Sequence, residues 1–203
     1  MIQPLGAATA RAEFERPSTL KAPLFQSLLE RLDPERRWVV LDLGAAHAAT
    51  VGVFGRFRCR LEIAAIAHGL NALATAEADE LVQAAERLFP APGIEPADIV
   101  LCWDLLNYLE RPGLSAIMEA IAARGRPGTV MHALMGYAEP LMPAQPGAYV
   151  ALDDLRIQRL NRAPDARAAP RYTPDDLARH MPQCRIERGV LLANGMQEFL
   201  FVL

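Results

Sequence analysis

The run Trp38-Val-Val-Leu-Asp-Leu43, closed by Gly44, constrains this chain more than any other feature. It is short, rich in β-forming residues and apolar at both alternations, which suits a strand covered from both sides. The glycine permits a sharp turn, and residues 45–57 can continue as a helix. A two-sided strand running straight into a helix opens a βαβ unit, and such a unit requires a parallel partner strand. Residues 58–63 supply that partner, and Asp98-Ile-Val-Leu-Cys-Trp103 and residues 129–135 repeat the buried-strand pattern.

Helical spacing falls between these strands. Leu24, Phe25, Leu28, Leu29 and Leu32 recur with it over residues 23–32, and similar patterns occupy 79–89 and 112–123. No convincing strand is readable between Glu62 and the helix at 79. Thr173-Pro174-Asp175-Asp176 is a helix start with a capping hydroxyl and an early proline. Residues 185–192 and 197–203 read as strands joined through Asn194-Gly195, a favoured hairpin pair. The expected fold is α/β: a doubly wound, mostly parallel sheet with an antiparallel C-terminal hairpin strand and helices on both faces.

At 203 residues the chain is expected to form a single domain. Residues 1–21 read as an N-terminal arm and 136–171 as a proline-rich insertion or lid, because Pro140, Pro143, Pro146, Pro164 and Pro170 exclude a long helix. Residues 149–160 could pair there as short strands. A formal charge of −3 gives no electrostatic reason to expect nucleic acid as a partner. No apolar run approaches the ~20 residues that span a bilayer, so a soluble, cytoplasmic protein without a membrane partner is expected. Cys59, Cys102 and Cys184 form no CxxC pair, so no metal site is expected and buried free thiols are the reading.

The candidate site residues cluster at strand ends, where open α/β sheets bind ligands. Asp42 suits an ammonium or a water, and Gly44, Ala45 and Ala46 let a ligand approach the backbone, with His47 following. Glu62, about twenty positions beyond Asp42, ends the next strand and could accept both hydroxyls of a ribose. Past the 98–103 strand, Asp104 reads equally as a helix cap or a ligand contact, and Tyr108 as half-buried or a contact; Asn107 reads as exposed. His132 reads as a satisfied core histidine, and His68 and His180 as surface residues. There is no Gly-x-Ser-x-Gly elbow, His-Glu-x-x-His helix or phosphate loop.

Asp42-Leu-Gly44 followed by small residues resembles the first motif of the class I S-adenosylmethionine-dependent methyltransferases, which have a Rossmann-like fold. Glu62 matches their ribose-binding acid, 98–109 their fourth strand and the segment after it, and Arg126-Pro-Gly128 the turn before their fifth. The terminal hairpin is placed like their reversed last strand. The glycine loop is eroded, with Ala46 and Ala48 where the family pattern has glycine, and the third strand has no located counterpart.

The resemblance implies S-adenosylmethionine over residues 44–47, its ribose on Glu62, its amino-acid end near Asp42 and Cys102, and its adenine near the segment after Glu62. It further implies an acceptor, a small molecule or a protein side chain, entering between the Trp103, Asp104 and Tyr108 segment and the insertion. The catalytic residues are not read. An alternative is a methyltransferase-fold protein without activity, serving as a binding or regulatory module. Room over Ala46 would favour the enzyme, and His47 or Arg56 filling the pocket would favour the module. A nicotinamide-dependent oxidoreductase ranks last, since Ala46 and Ala48 obstruct approach of a pyrophosphate.

Overall fold

The computed structural model describes residues 18–91, 93–137, 139–152, 156–160 and 165–203. In chain order the elements are β1 (Ser18–Leu20), α1 (Pro23–Glu30), β2 (Trp38–Asp42), α2 (Ala48–Phe54) and β3 (Cys59–Ile63). A 3-10 turn (Ile66–Gly69) leads into α3 (Leu70–Thr75), followed by α4 (Leu81–Glu86) and β4 (Ile99–Trp103). A second 3-10 turn (Leu105–Tyr108) precedes α5 (Arg111–Ala122) and β5 (Val130–Gly136). Then come β6 (Leu141–Pro143), β7 (Tyr149–Ala151), β8 (Ile157–Arg159), β9 (Ala166–Ala168), α6 (Pro174–His180), β10 (Arg185–Leu191) and β11 (Met196–Val202).

The central sheet has six strands in the order β10-β11-β5-β4-β2-β3. β3, β2, β4 and β5 run parallel, and β11 runs antiparallel to both β5 and β10. The two-sided apolar strands explain the layers, because successive side chains point to opposite faces. Leu41, Val100, Cys102 and Met131 face the helices α4, α5 and α6, whereas Val40, Ile99, Leu101 and Trp103 face α1 and α2. Helices therefore cover both faces, as expected. Among the described residues no strand pairs with the outer side of β3; Glu95, from the connection to β4, meets Arg60 there.

The first turn of α1 is held by a side chain far away in sequence. Glu198, fully buried on β11, accepts the Leu24 N–H at 2.9 Å and the Phe25 N–H at 2.7 Å. A carboxylate at a helix start satisfies orphan donors and opposes the positive end of the helix dipole. Pro23, at the first helical position, has no N–H to lose. His132 is a core histidine as read, with Nε2 2.9 Å from Glu198 Oε1, but it is only half satisfied, since its buried Nδ1 has no hydrogen-bond partner among the described residues. α6 starts with the capping box formed by Thr173 and Asp176.

Several boundaries differ from the sequence reading. α2 begins at Ala48 rather than 45, because His47 adopts an extended backbone and accepts the Ala49 N–H on Nδ1 at 3.2 Å. α3 lies in a stretch too rich in alanine to show an apolar stripe. Residues 18–20, read as part of the arm, form β1 and pair with β8; residues 1–17 lie outside the described residues. The insertion carries four three-residue strands: β7 with β8, which is the short pairing read for 149–160, and β6 with β9, which went unread. The terminal hairpin closes with Gly195 N–H donating to Leu192 O at 3.0 Å. Ala193 and Asn194 are thus the central residues, and Gly195 follows with φ +79°, where a side chain would be strained. Among the described residues no helix is long and apolar enough to cross a membrane.

Candidate functional site

The site is built on the end of β2. Asp42 is 2% exposed, and its Oδ1 accepts both the Gly44 N–H at 2.8 Å and the Trp103 indole N–H at 2.6 Å. Burial pushes its carboxyl up to about 6, against the opposing pull of the Trp103 and Gly44 hydrogen bonds. Gly44 is required by this contact. A Cβ there would lie 2.6 Å from Trp103 Nε1 and 2.8 Å from Cδ1. Trp103 itself sits at φ +49°, a left-handed conformation uncommon for any residue with a side chain. Packing holds it there: its ring stacks on Tyr149 at 6.1 Å with 6° between planes, and Phe25 lies 6.1 Å away.

The next residue ties the strand end to the insertion. Asp104 is buried and accepts the Gly147 N–H at 3.0 Å, with Tyr149 and Arg159 beside it. Burial raises its carboxyl to about 7, and the Gly147 hydrogen bond and Arg159 charge only partly oppose this. Tyr108 adds a second tie, donating its hydroxyl to Gln145 O at 2.8 Å. Residues 145–149 are therefore latched onto the end of β4. Asp104 does not use its side chain to cap the following turn. Asn107, read from sequence as exposed, is buried instead. Its Nδ2 donates to Asp104 O and Leu134 O, and its Oδ1 accepts the Gly136 N–H, each at 2.8 Å. A polar side chain can be buried when all its groups are satisfied, and here two of the three partners come from β5.

A cleft of about 680 Å³ opens beside these strand ends. Gly44 and Ala45 form one part of its lining, and residues from 67 to 81, through α3, form a largely alanine and leucine wall. Trp103, Tyr108 and the start of α5 form another wall, and residues 144–148 with Arg167 of β9 close it from the insertion. Volume and lining both suit a small ligand.

The structure thus brings Gly44, Ala45, Trp103 and Tyr108 onto one cleft. Asp42 and Asp104 do not line it but fix the residues that do, through Trp103, Gly44 and Gly147. Ala46 is exposed on the same turn. Neither His47 nor Arg56 lines the cleft; His47 is spent on capping α2. Cys102 is wholly buried among the α4–α6 core, where burial holds its thiol protonated, so it cannot touch a ligand. Glu62 also stands outside the lining, with Oε1 2.7 Å from Arg60 on its own strand. The pleat puts residues 60 and 62 on one face, which gives Glu62 a neighbouring cation.

Tyr149, Gly147, Arg167 and the α3 wall went unread in the sequence. Gly147, Arg167 and the α3 wall reach the cleft, and Tyr149 backs Trp103 from behind it, through tertiary pairing of short segments, which leaves no local signal. Among the described residues there is no group of His, Cys, Asp and Glu suited to a metal ion.

No family model matches the chain, and no curated protein matches it. Solved structures do. An S-adenosylmethionine-dependent methyltransferase from Clostridium acetobutylicum ATCC 824 aligns with TM-score 0.50 over 89% of this chain and 89% of its own, at 13% identity. The chain has the Rossmann-like methyltransferase fold. The magnesium protoporphyrin IX methyltransferase of Synechocystis PCC 6803, solved with bound S-adenosylmethionine, is similar at TM-score 0.48 and 11% identity, over 89% of this chain and 78% of that one. A glycopeptide N-methyltransferase, MtfA, also complexed with S-adenosylmethionine, is similar at TM-score 0.45 and 15% identity, over 89% and 92%. In the methyltransferase fold of this chain, β2 and β4 are the adjacent central strands whose carboxyl ends meet the cleft.

Proposed function

We propose that the protein is an S-adenosylmethionine-dependent methyltransferase. One observation carries the reading: the open cleft at the carboxyl ends of β2 and β4, with Gly44 and Ala45 in its lining. The residues present fit the cofactor. Ala45 is small and exposed, alanine at 46 and 48 puts no side chain into the cleft, and the α3 wall offers an apolar surface for a base. A sulfonium nucleoside carries no pyrophosphate, so it does not need the glycine-rich approach to a helix start that a dinucleotide needs.

When bound, the cofactor supplies a methyl group activated by the sulfonium. The chain's own residues would hold it on the Gly44–Ala45 turn, and Asp42 would keep that turn and Trp103 in place. The acceptor would lie against Tyr108 and the insertion, which Asp104 and Tyr108 hold in place beside the cleft. Arg60 engages Glu62 Oε1, so Glu62 would serve the ribose through its other oxygen or by leaving that pair.

Isothermal titration with S-adenosylmethionine and S-adenosylhomocysteine tests the reading, alongside Ala45→Trp, which fills the cleft from an exposed position, and Glu62→Ala. Micromolar binding lost in Ala45→Trp is the expected result. Weaker binding in Glu62→Ala would put the ribose on that carboxylate, and unchanged binding would leave Glu62 as the ion-pair partner of Arg60. A second reading, a non-catalytic module, draws on the Trp103 indole lying close over Gly44, which narrows the approach to that backbone. Absence of heat with either ligand at millimolar concentration would favour it and sink the enzyme.

A further inference from the structure

The cleft's second ligand can be narrowed by charge, an argument that rests on the methyltransferase reading above. The walls are mostly apolar, with Leu70, Leu73 and Leu81 on one side and Leu105 and Leu109 on another. Among the described residues, Glu110, exposed at the cap of α5, and Arg167, exposed on β9, are the acidic and guanidinium side chains that line it, and the imidazole of His68 lies on the α3 side. Most arginines of the described chain that lie near acids are paired; Arg31, Arg36, Arg60 and Arg124 each have a carboxylate within ion-pair distance. Among the described residues none is so placed for Arg167. Its charge is felt instead at the Tyr108 hydroxyl on the same cleft.

An unpaired guanidinium beside an apolar surface presents a planar fork of donors that matches a carboxylate. It comes from the insertion, and not from the β2 turn proposed to hold the cofactor. Glu110 would repel an anion, so a charged ligand in this cleft is oriented with its negative end toward Arg167. We propose that the methyl acceptor is a small molecule with an apolar body and a carboxylate, and that Arg167 binds that carboxylate.

The probe is phenylacetate, with phenylacetamide as its uncharged counterpart, titrated calorimetrically into the wild type, Arg167→Gln and Arg167→Lys, each with and without saturating S-adenosylhomocysteine. Wild type is expected to prefer the acid by roughly threefold to fivefold, the upper end of what an accessible ion pair supplies. Arg167→Gln should bind acid and amide alike, Arg167→Lys should keep part of the preference, and all three should bind S-adenosylhomocysteine equally. Equal binding of acid and amide by the wild type, or no binding of either at millimolar concentration, would overturn the proposal. So would a large loss of S-adenosylhomocysteine affinity in Arg167→Gln, since the guanidinium would then serve the cofactor's own carboxylate. If the wild type ignores S-adenosylhomocysteine yet keeps its preference for the acid, the methyltransferase reading fails and the anion site stands.

Discussion

Glu198→Ala should come close to unfolding this protein. The carboxylate accepts three contacts within 3 Å, the Leu24 and Phe25 N–H groups and His132 Nε2, and all four residues are fully buried. Alanine would leave two helix N–H groups and an imidazole nitrogen without partners, in a space too enclosed for solvent to reach freely. Each orphaned buried group costs about 1–3 kcal/mol, and the helix also loses a charge facing its positive end, worth up to about 1–2 kcal/mol when buried. Because these groups share one partner the costs do not simply add, so about 4 kcal/mol is the expected total. That is a large share of the 5–15 kcal/mol typical of a domain. Glu198→Gln keeps one oxygen acceptor but turns an amide N–H toward a helix N–H, and about 2 kcal/mol is expected. Urea unfolding followed by far-ultraviolet circular dichroism would measure both. A Glu198→Ala variant within about 1 kcal/mol of wild type would refute the reasoning, because it would mean that α1 is held by apolar packing alone.

The pH dependence of stability follows from the two buried acids at the cleft. Asp42 and Asp104 have folded-state values of about 6 and about 7 against an ordinary 3.8, so the folded protein keeps protons that the unfolded chain releases. Their contribution is therefore greatest at the acid end of that window and is lost as pH rises through it. Between about pH 5 and pH 8 the loss should approach 4 kcal/mol at most, and Asp104→Asn should remove most of it; a flat profile in the wild type would contradict the burial argument. Gly44→Ala should displace the Trp103 ring, because its Cβ would meet Nε1 at 2.6 Å. We expect a shifted tryptophan emission, about 2 kcal/mol of lost stability and no S-adenosylhomocysteine binding; unchanged emission with normal binding would show that the turn can yield.

The sequence by itself determined the sheet. Two-sided apolar runs at 38–43 and 98–103 have the length and β-forming residues of central parallel strands, and Gly44 with its small neighbours marked the turn where the cleft opens. These signals are local, carried by alternation and turn chemistry within a few residues. Tertiary structure alone decided what the candidate residues do. Glu62 faces Arg60 because the pleat sets them side by side, and Asn107 is buried because β5 offers it partners 27 and 29 residues away. Nothing near Asp42 in sequence announces that Trp103, 61 residues on, will donate to it. Nor does anything near Pro23 foretell Glu198. Periodicity reports which side of an element is buried, whereas hydrogen bonds and charges are settled by whichever neighbours the finished fold brings within 3 Å.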